Sequence, residues 1–510
     1  MNMNFCCQDK TMENKMQGTK KGERNIISIY LLIIFTGIIS YFVRVLFARN
    51  LSVEEYGLFY AVFSFIFFFV FFREFGLTEG IIFFINKFLS KKNYKKIRDY
   101  FYTALNFQIF TSLLFFIIFL LLSDFLTKNY FKSELAKQLI FILAFAFLIH
   151  TLFFFFSSSF TIFQDFKIFK FLEFLEMLFI FLFALALFKT FPKQIVPALS
   201  YLLTFIVLTL ITILVFFKKY PFLATKKPIF SFRAVKKLFK FSLPICLSTS
   251  GVIILNYTDI ILLTIFKGVK DVGFYNIAQP AFSIILVFIA PLSTIVYPII
   301  SRKYHNKDYK GIRNIVIFFY NNFLLFTLPL ALTFIVFADL IIKIFFGAQY
   351  VEASTALRIL SLFFIFIPIR SLGFSVITGI GKPRERAKIL FYGAIVNLIG
   401  DILLIPKYSY NGAALTTGIS FLIMALLTTK FLNKHYKLNI NLSVQLKVFL
   451  ASIIFFLINV FMRKLILINN VILKGTIMLF ISGSIYIALL FLFGVLTREK
   501  IIGFKELLKY

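Results

Sequence analysis

Apolar runs of about 20 residues recur along the whole chain, separated by short polar connections. They lie near 26–48, 57–84, 100–123, 138–160, 171–190 and 195–217, and again near 241–266, 273–300, 314–337, 356–380, 387–406, 411–430, 447–466 and 472–496. Each is long enough to carry a helix across the hydrocarbon core of a bilayer. Inside lipid, a helix satisfies its own backbone N–H and C=O groups. A transmembrane barrel would need short segments alternating with period two, and the runs do not alternate. The pattern predicts an all-α polytopic membrane protein with about fourteen transmembrane helices.

The polar connections differ in charge. "NKFLSKKNYKKIRD", "KKYPFLATKKPIFSFRAVKKLFK", "SRKYHNKDYKGIR" and "GKPRERAK" are rich in Lys and Arg, whereas the intervening "KTFPKQ" and "FKGVKD" are short and weakly charged. With the N-terminus in the cytoplasm, most of the 55 Lys and Arg fall on the cytoplasmic side, as the positive-inside rule requires. The expected organisation is a cytoplasmic tail (1–25), six spans (26–217), a basic cytoplasmic linker (218–240), six more spans (241–430), two extra spans (431–496) and a cytoplasmic tail (497–510). The linker includes a candidate amphipathic surface helix around "FRAVKKLFKF".

Composition sharpens this picture. Hydrophobic residues make up 60% of the chain and aromatics 20%, with 77 Phe, too few polar groups to cover a soluble protein of this length. The net charge of +33 belongs to loops on one face of a membrane, so nucleic acid is not an expected partner. Cys6, Cys7 and Cys246 give neither a disulfide framework nor a metal-ligand spacing. Phe-rich runs such as "FSFIFFFVFF" read as lipid-facing filler.

Two short segments echo each other. "SVEEYGLFY" opens the second span and "GVKDVGFYN" the eighth. Gly57 and Gly273 hold the same place, after an acidic residue (Glu55, Asp271) and before aromatics. Both segments follow the first span of a six-span half and enter the membrane from outside. Equal orientation indicates a parallel repeat, with its pseudo-axis along the membrane normal.

The segments 47–88 ("FARNLSVEEYGLFY…FFREFGLTEGIIFFINKF"), 257–279 ("YTDIILLTIFKGVKDVGFYNIAQ"), 379–388 ("GIGKPRERAK") and 397–417 ("NLIGDILLIPKYSYNGAALTT") carry a family resemblance. Taken in order, the chain resembles the polysaccharide-biosynthesis flippases of the multidrug/oligosaccharidyl-lipid/polysaccharide exporter superfamily. The resemblance covers roughly Ile26 to Leu432. It implies two six-helix lobes around a central cavity, two additional helices, and a lipid-linked oligosaccharide or related glycolipid as cargo.

Such cargo must bring a sugar–phosphate head group through about 30 Å of hydrocarbon, which calls for a polar cavity with cations for phosphate. Ionisable residues inside spans are therefore the candidates, since a charge at mid-bilayer costs about 2.5–3.5 kcal/mol and must face a cavity or a partner. Arg73 and Arg370 lie near the middle of their spans, and Arg44 and Arg358 toward outer ends. We expect Arg73 and Arg370 to flank the carrier's phosphates, bidentate binding being a property of the guanidinium fork. The opposing reading pairs Arg73 with Glu79 or Asp259, and lets Arg44 and Arg358 snorkel. Asp259, Glu74, Glu79 and Asp401 are candidates for charge pairing or for coupling to H+ or Na+. His150, inside a span, reads as a packed residue.

The chain has no Walker motif, so the expected energy source is the membrane potential or an ion gradient, with no cofactor. A membrane glycosyltransferase or polymerase would need a catalytic constellation in a sizeable outer loop, and a non-enzymatic function is expected. The drug-antiporter branch of the superfamily is the alternative, and usually has twelve spans. The expected location is the cell membrane.

Overall fold

The computed structural model describes residues 5–74, 76–224, 232–283, 286–439, 441–465 and 471–496. Side chains at some of these positions, including Glu74, Glu79, Cys6, Cys7, Cys246 and Pro291, are not described. The protein is all-helical. Its helices are α1 (Phe5–Asn50), α2 (Val53–Phe68), α3 (Val70–Glu74), α4 (Leu77–Leu89), α5 (Tyr94–Leu121), α6 (Ser123–Phe125), α7 (Leu135–Ile162), α8 (Phe166–Leu187), α9 (Val196–Lys219) and α10 (Phe232–Phe266). They continue as α11 (Val269–Ser283), α12 (Leu286–His305), α13 (Tyr309–Asn322), α14 (Leu324–Phe345), α15 (Ser354–Leu362), α16 (Phe366–Gly379), α17 (Pro383–Tyr436), α18 (Leu442–Leu465) and α19 (Val471–Leu492).

Among the described residues, nine helices are long and apolar enough to cross a membrane, and ten if α15 and α16, bent by 50°, form one span. Every predicted run falls on a helix, but the runs and the helices do not correspond one to one. α17 contains the eleventh and twelfth runs, with Ser409 (φ 51°, ψ −137°) marking the break between them. The second run is divided into α2, α3 and α4, with Gly76 at φ 67° opening the last piece. α8 carries Lys167, Lys170, Glu173 and Glu176 in its first half, which dilutes its hydropathy. "FRAVKKLFKF" forms the first turns of α10 rather than a separate surface helix.

Local signals set the helix starts. Ser52 caps α2 in a capping box: its hydroxyl accepts from the Glu55 N–H, and the Glu55 carboxylate accepts from the Ser52 N–H at 2.9 Å. Asn93 and Asp308 cap α5 and α13 in the same sense, accepting from Lys96 and Gly311 N–H. The Lys303 ammonium, 2.7 Å from Asp308, and the Gly311 N–H hold that exposed carboxyl below its usual range.

The chain forms two compact units. One comprises 1–46, 72–122 and 139–243, and the other 47–71, 123–138 and 244–510. The first has an aromatic core in which Phe101 stacks on Phe216 at 5.5 Å while Phe156 and Phe160 meet Phe216 edge-on. In the second, α2 packs along α11, a contact only small residues permit. A Cβ on Gly57 would overlap the Val269 carbonyl and come 2.7 Å from the Gly273 nitrogen, and one on Gly273 would overlap the Val53 carbonyl. This contact draws residues 47–71 into the second unit and buries part of the Phe-rich run: Ser64, Ile66 and Phe67 are buried, and none of Phe63 to Phe72 is exposed. The run is packing material here rather than lipid-facing filler.

Candidate functional site

In the second unit, α10, α11, α16 and α17 enclose a cavity of about 450 Å3. Two guanidinium groups, Arg370 from α16 and Arg386 from the first turns of α17, line it, and among the described residues its lining contains no carboxylate. Arg370 lies over the Phe421 ring at 4.6 Å, and Arg386 over Phe374 at 5.5 Å. These ring faces steady the cations without neutralising them. Among the described residues neither arginine has an ion-pair partner, and the buried Arg370 Nε has no hydrogen-bond acceptor. Arg370 and Arg386 are like-charged neighbours in one cavity, an arrangement that gains from an anion. Asn256, Gln279, Ser371 and Ser375 add polar groups around it, and Phe282 adds a further aromatic face.

A second feature adjoins the cavity through Thr417. Asp259 (α10) and Asp401 (α17) are buried, at 3% and 0% exposure, with their carboxyl groups in hydrogen-bonding reach of each other. Tyr275 and Thr417 donate to Asp259 Oδ2, the latter at 2.7 Å, and Thr416 donates to Asp401 Oδ1. Asn397, one helical turn before Asp401, donates through Nδ2 to the Thr417 hydroxyl at 3.4 Å. Asp259 Oδ1, Asp401 Oδ2 and Asn397 Oδ1 remain without a donor. Three orphaned acceptor oxygens in one buried cluster are costly. The set is all oxygen, and among the described residues no cationic side chain forms an ion pair with it. The carboxylate in the apolar run near Leu255–Phe266 thus has a carboxyl partner.

The other candidates fall elsewhere. Arg73, in the first unit, is fully buried and donates to Thr151 at 3.1 Å and to His150 Nδ1 at 3.2 Å, with the Phe147 and Phe154 rings 5.3 and 5.8 Å away. Because arginine only donates, His150 accepts through Nδ1, which puts the ring's proton on Nε2. Arg44 is half-buried on α1 in the same unit. Arg358 is not among the cavity's described lining residues: Asp339 on α14 accepts from it at 3.3 Å and also from Arg463 of α18, so this aspartate ties α14, α15 and α18 together. The side chains of Glu74 and Glu79 lie outside the described ones.

Sequence reasoning singled out Arg370, Asp259 and Asp401 but missed Arg386, Thr416, Thr417, Asn397 and Tyr275. The signal was present, because all five lie in the quoted segments 257–279, 379–388 and 397–417. Arg386 was read as part of a cytoplasmic turn because its neighbours are charged. Helix α17 begins at Pro383, which places Arg386 on its first turns.

Known proteins match this chain over most of its length. The sequence pattern of the polysaccharide biosynthesis proteins covers residues 23–305, and that of the MatE family covers 244–403. The membrane protein MJ1068 of Methanocaldococcus jannaschii is 32% identical over 482 residues, 89% of this chain and 92% of its own length. A Haloferax volcanii protein described as a probable low-salt glycan biosynthesis flippase, Agl15, is 24% identical over 43% of this chain and 46% of its own. In fold, the lipid II flippase MurJ in an inward closed conformation superposes with a TM-score of 0.72 over 91% of this chain and 98% of its own, at 18% identity. A multi-pass helical membrane protein with these relatives belongs to the polysaccharide biosynthesis protein family, among the flippases and transporters of the multidrug/oligosaccharidyl-lipid/polysaccharide exporter superfamily.

Proposed function

We propose that the chain moves a lipid-linked oligosaccharide, carried on a polyprenyl phosphate or pyrophosphate, from the inner to the outer face of the cell membrane by alternating access. The observation that carries this reading is the cavity in which Arg370 and Arg386 face no carboxylate among the described residues. Arginine keeps its charge in apolar surroundings and binds phosphate oxygens through a planar fork. Asn256, Gln279, Ser371 and Ser375 suit sugar hydroxyls, and the Phe282 and Phe421 rings suit the apolar faces of pyranoses. The glycan flippase among the relatives supports the same substrate class.

The charge bias of the connections supports a cytoplasmic position for both termini. An inside-negative potential then favours export of phosphate charge by about 2.3 kcal/mol per charge per 100 mV, wherever that charge crosses unneutralised. The Asp259–Asp401 cluster would supply coupling to a second ion, H+ or Na+. Thr417 belongs to both features: its hydroxyl donates to Asp259 and it also lines the cavity. Occupation of the acid pair would reorient that hydroxyl and so change the floor of the anion cavity.

Reconstituted liposomes with a fluorescent lipid-linked oligosaccharide in the inner leaflet test the reading. Wild type should expose the label to an external quencher, whereas Arg370→Gln with Arg386→Gln should not. Flipping by the double variant at the wild-type rate sinks the assignment. Export of a cationic drug without glycolipid transport would favour the antiporter branch.

A further inference from the structure

Away from the cavity described above, the α16–α17 turn and the far end of α17 enclose a second recess, of about 690 Å3. That is within the range of ligand pockets, about 300–1,000 Å3. Its lining brings together Lys382, Arg384, Lys434 and His435, with the Phe431 ring as floor. The carboxylate present, Glu385, accepts from Lys388 at 2.8 Å. Lys382 instead spends its ammonium on neutral partners: the Phe431 ring at 5.5 Å and His435 Nε2 at 2.7 Å. His435 stacks on Phe431 at 4.4 Å and donates from Nδ1 to the Phe431 carbonyl at 2.8 Å, which leaves Nε2 as the acceptor. The ring is thereby fixed beside the ammonium. Arg384 and Lys434 have no ion-pair partner among the described residues.

Three cations and an aromatic ring share one recess, and the carboxylate among its described lining residues is engaged by Lys388. We propose that it binds a phosphate group, either the head-group phosphate of an anionic phospholipid or free inorganic phosphate. The position suits both sources, because Lys382 and Lys434 belong to the Lys-rich face, where membrane phosphates lie within reach of basic side chains. The site is separate from the Arg370 cavity. The two meet at the first turns of α17, where Arg384 faces one and Arg386 the other. An anion on Arg384 would thus fix the turn that presents Arg386.

The test uses the full chain purified in a neutral detergent. Native mass spectrometry would follow retention of phosphatidylglycerol against phosphatidylcholine, and thermal melting would follow inorganic phosphate against chloride at equal ionic strength. We expect preferential retention or a phosphate-specific rise in melting temperature, weakened roughly tenfold or more by Lys382→Gln with Lys434→Gln. The same number of charges removed at exposed Lys307 and Lys310 should leave it unchanged. Retention of phosphatidylglycerol without a phosphate shift identifies the lipid as the source, and the reverse identifies the free ion. Neither effect in wild type, or equal losses in the two double variants, overturns the proposal.

Discussion

Gly57 on α2 and Gly273 on α11 cross face to face, each with its missing Cβ aimed at the other helix's backbone carbonyl four residues upstream of the partner glycine, Val269 and Val53 respectively. The contact is reciprocal, as expected where a sequence repeat places the same residue on both sides of a pseudo-axis. The echo between "SVEEYGLFY" and "GVKDVGFYN" is therefore also a physical interface, and the two copies of the motif meet.

This crossing gives the first prediction. Gly57→Ala or Gly273→Ala forces backbone apart where no flexible side chain can yield, an overpacking penalty of about 1–3 kcal/mol. Each variant should melt lower than wild type in detergent. Ala at Gly475, where no atom lies within 4 Å of an added Cβ, should melt as wild type does. Equal melting of all three variants would refute the close crossing.

The acid pair gives the second. Asp259→Asn or Asp401→Asn removes the need for a proton or cation while keeping shape and hydrogen-bonding capacity. Either variant should retain its fold and lose the dependence of transport on the Na+ or H+ gradient. The check is flipping rate against external sodium at fixed pH, and against pH at fixed sodium. A wild-type response to both ions in either variant contradicts coupling at this cluster.

Thr417→Val separates the two features. The hydroxyl that donates to Asp259 is replaced by a methyl of similar volume, leaving Arg370 and Arg386 untouched. Glycolipid binding should fall by no more than the worth of one hydrogen bond, about 0.5–1.5 kcal/mol, while ion dependence is blunted. Binding isotherms measured at high and low sodium give the comparison. Identical sodium sensitivity in wild type and variant would remove Thr417 as the link.

Arg73 gives a stability prediction. Its guanidinium donates to His150 and Thr151 in a fully buried site. Arg73→Ala should cost about 1.5–3 kcal/mol from hydrogen bonds to a charged group, plus the cavity left behind. Arg73→Met restores the volume without the charge. Recovery of stability with transport still lost indicates that the charge acts on cargo; recovery of both indicates a packing role.

Much of this protein was legible in the chain. Runs of apolar residues longer than a bilayer is thick have one low-energy form in lipid, so the helices could be located from hydropathy alone. The three residues Arg370, Asp259 and Asp401 were found by their cost, since a charge in an apolar run needs a reason. Arg358 carried the same signal for a different reason. Its partner Asp339 lies 19 positions away and is shared with Arg463, 124 positions beyond that aspartate, separations hydropathy does not read. Arg386 and the hydroxyls of Thr416, Thr417 and Tyr275 carried no such cost, because polar side chains at a helix start or inside a mixed segment are unremarkable one at a time.

By itself the sequence determined that the chain is a bundle of membrane helices, that its cations gather in alternate connections, and that one short motif occurs twice along it. Those are one-dimensional properties, set by the length of an apolar run and the charge beside it. Only the tertiary structure decided which charges are spent on one another and which are held open. It set Arg358 on Asp339, drew Asp259 beside Asp401, and left Arg370 and Arg386 facing a cavity with no counter-ion among the described residues. Pairing is a matter of a few ångströms across different helices, and those distances exist only once the helices pack.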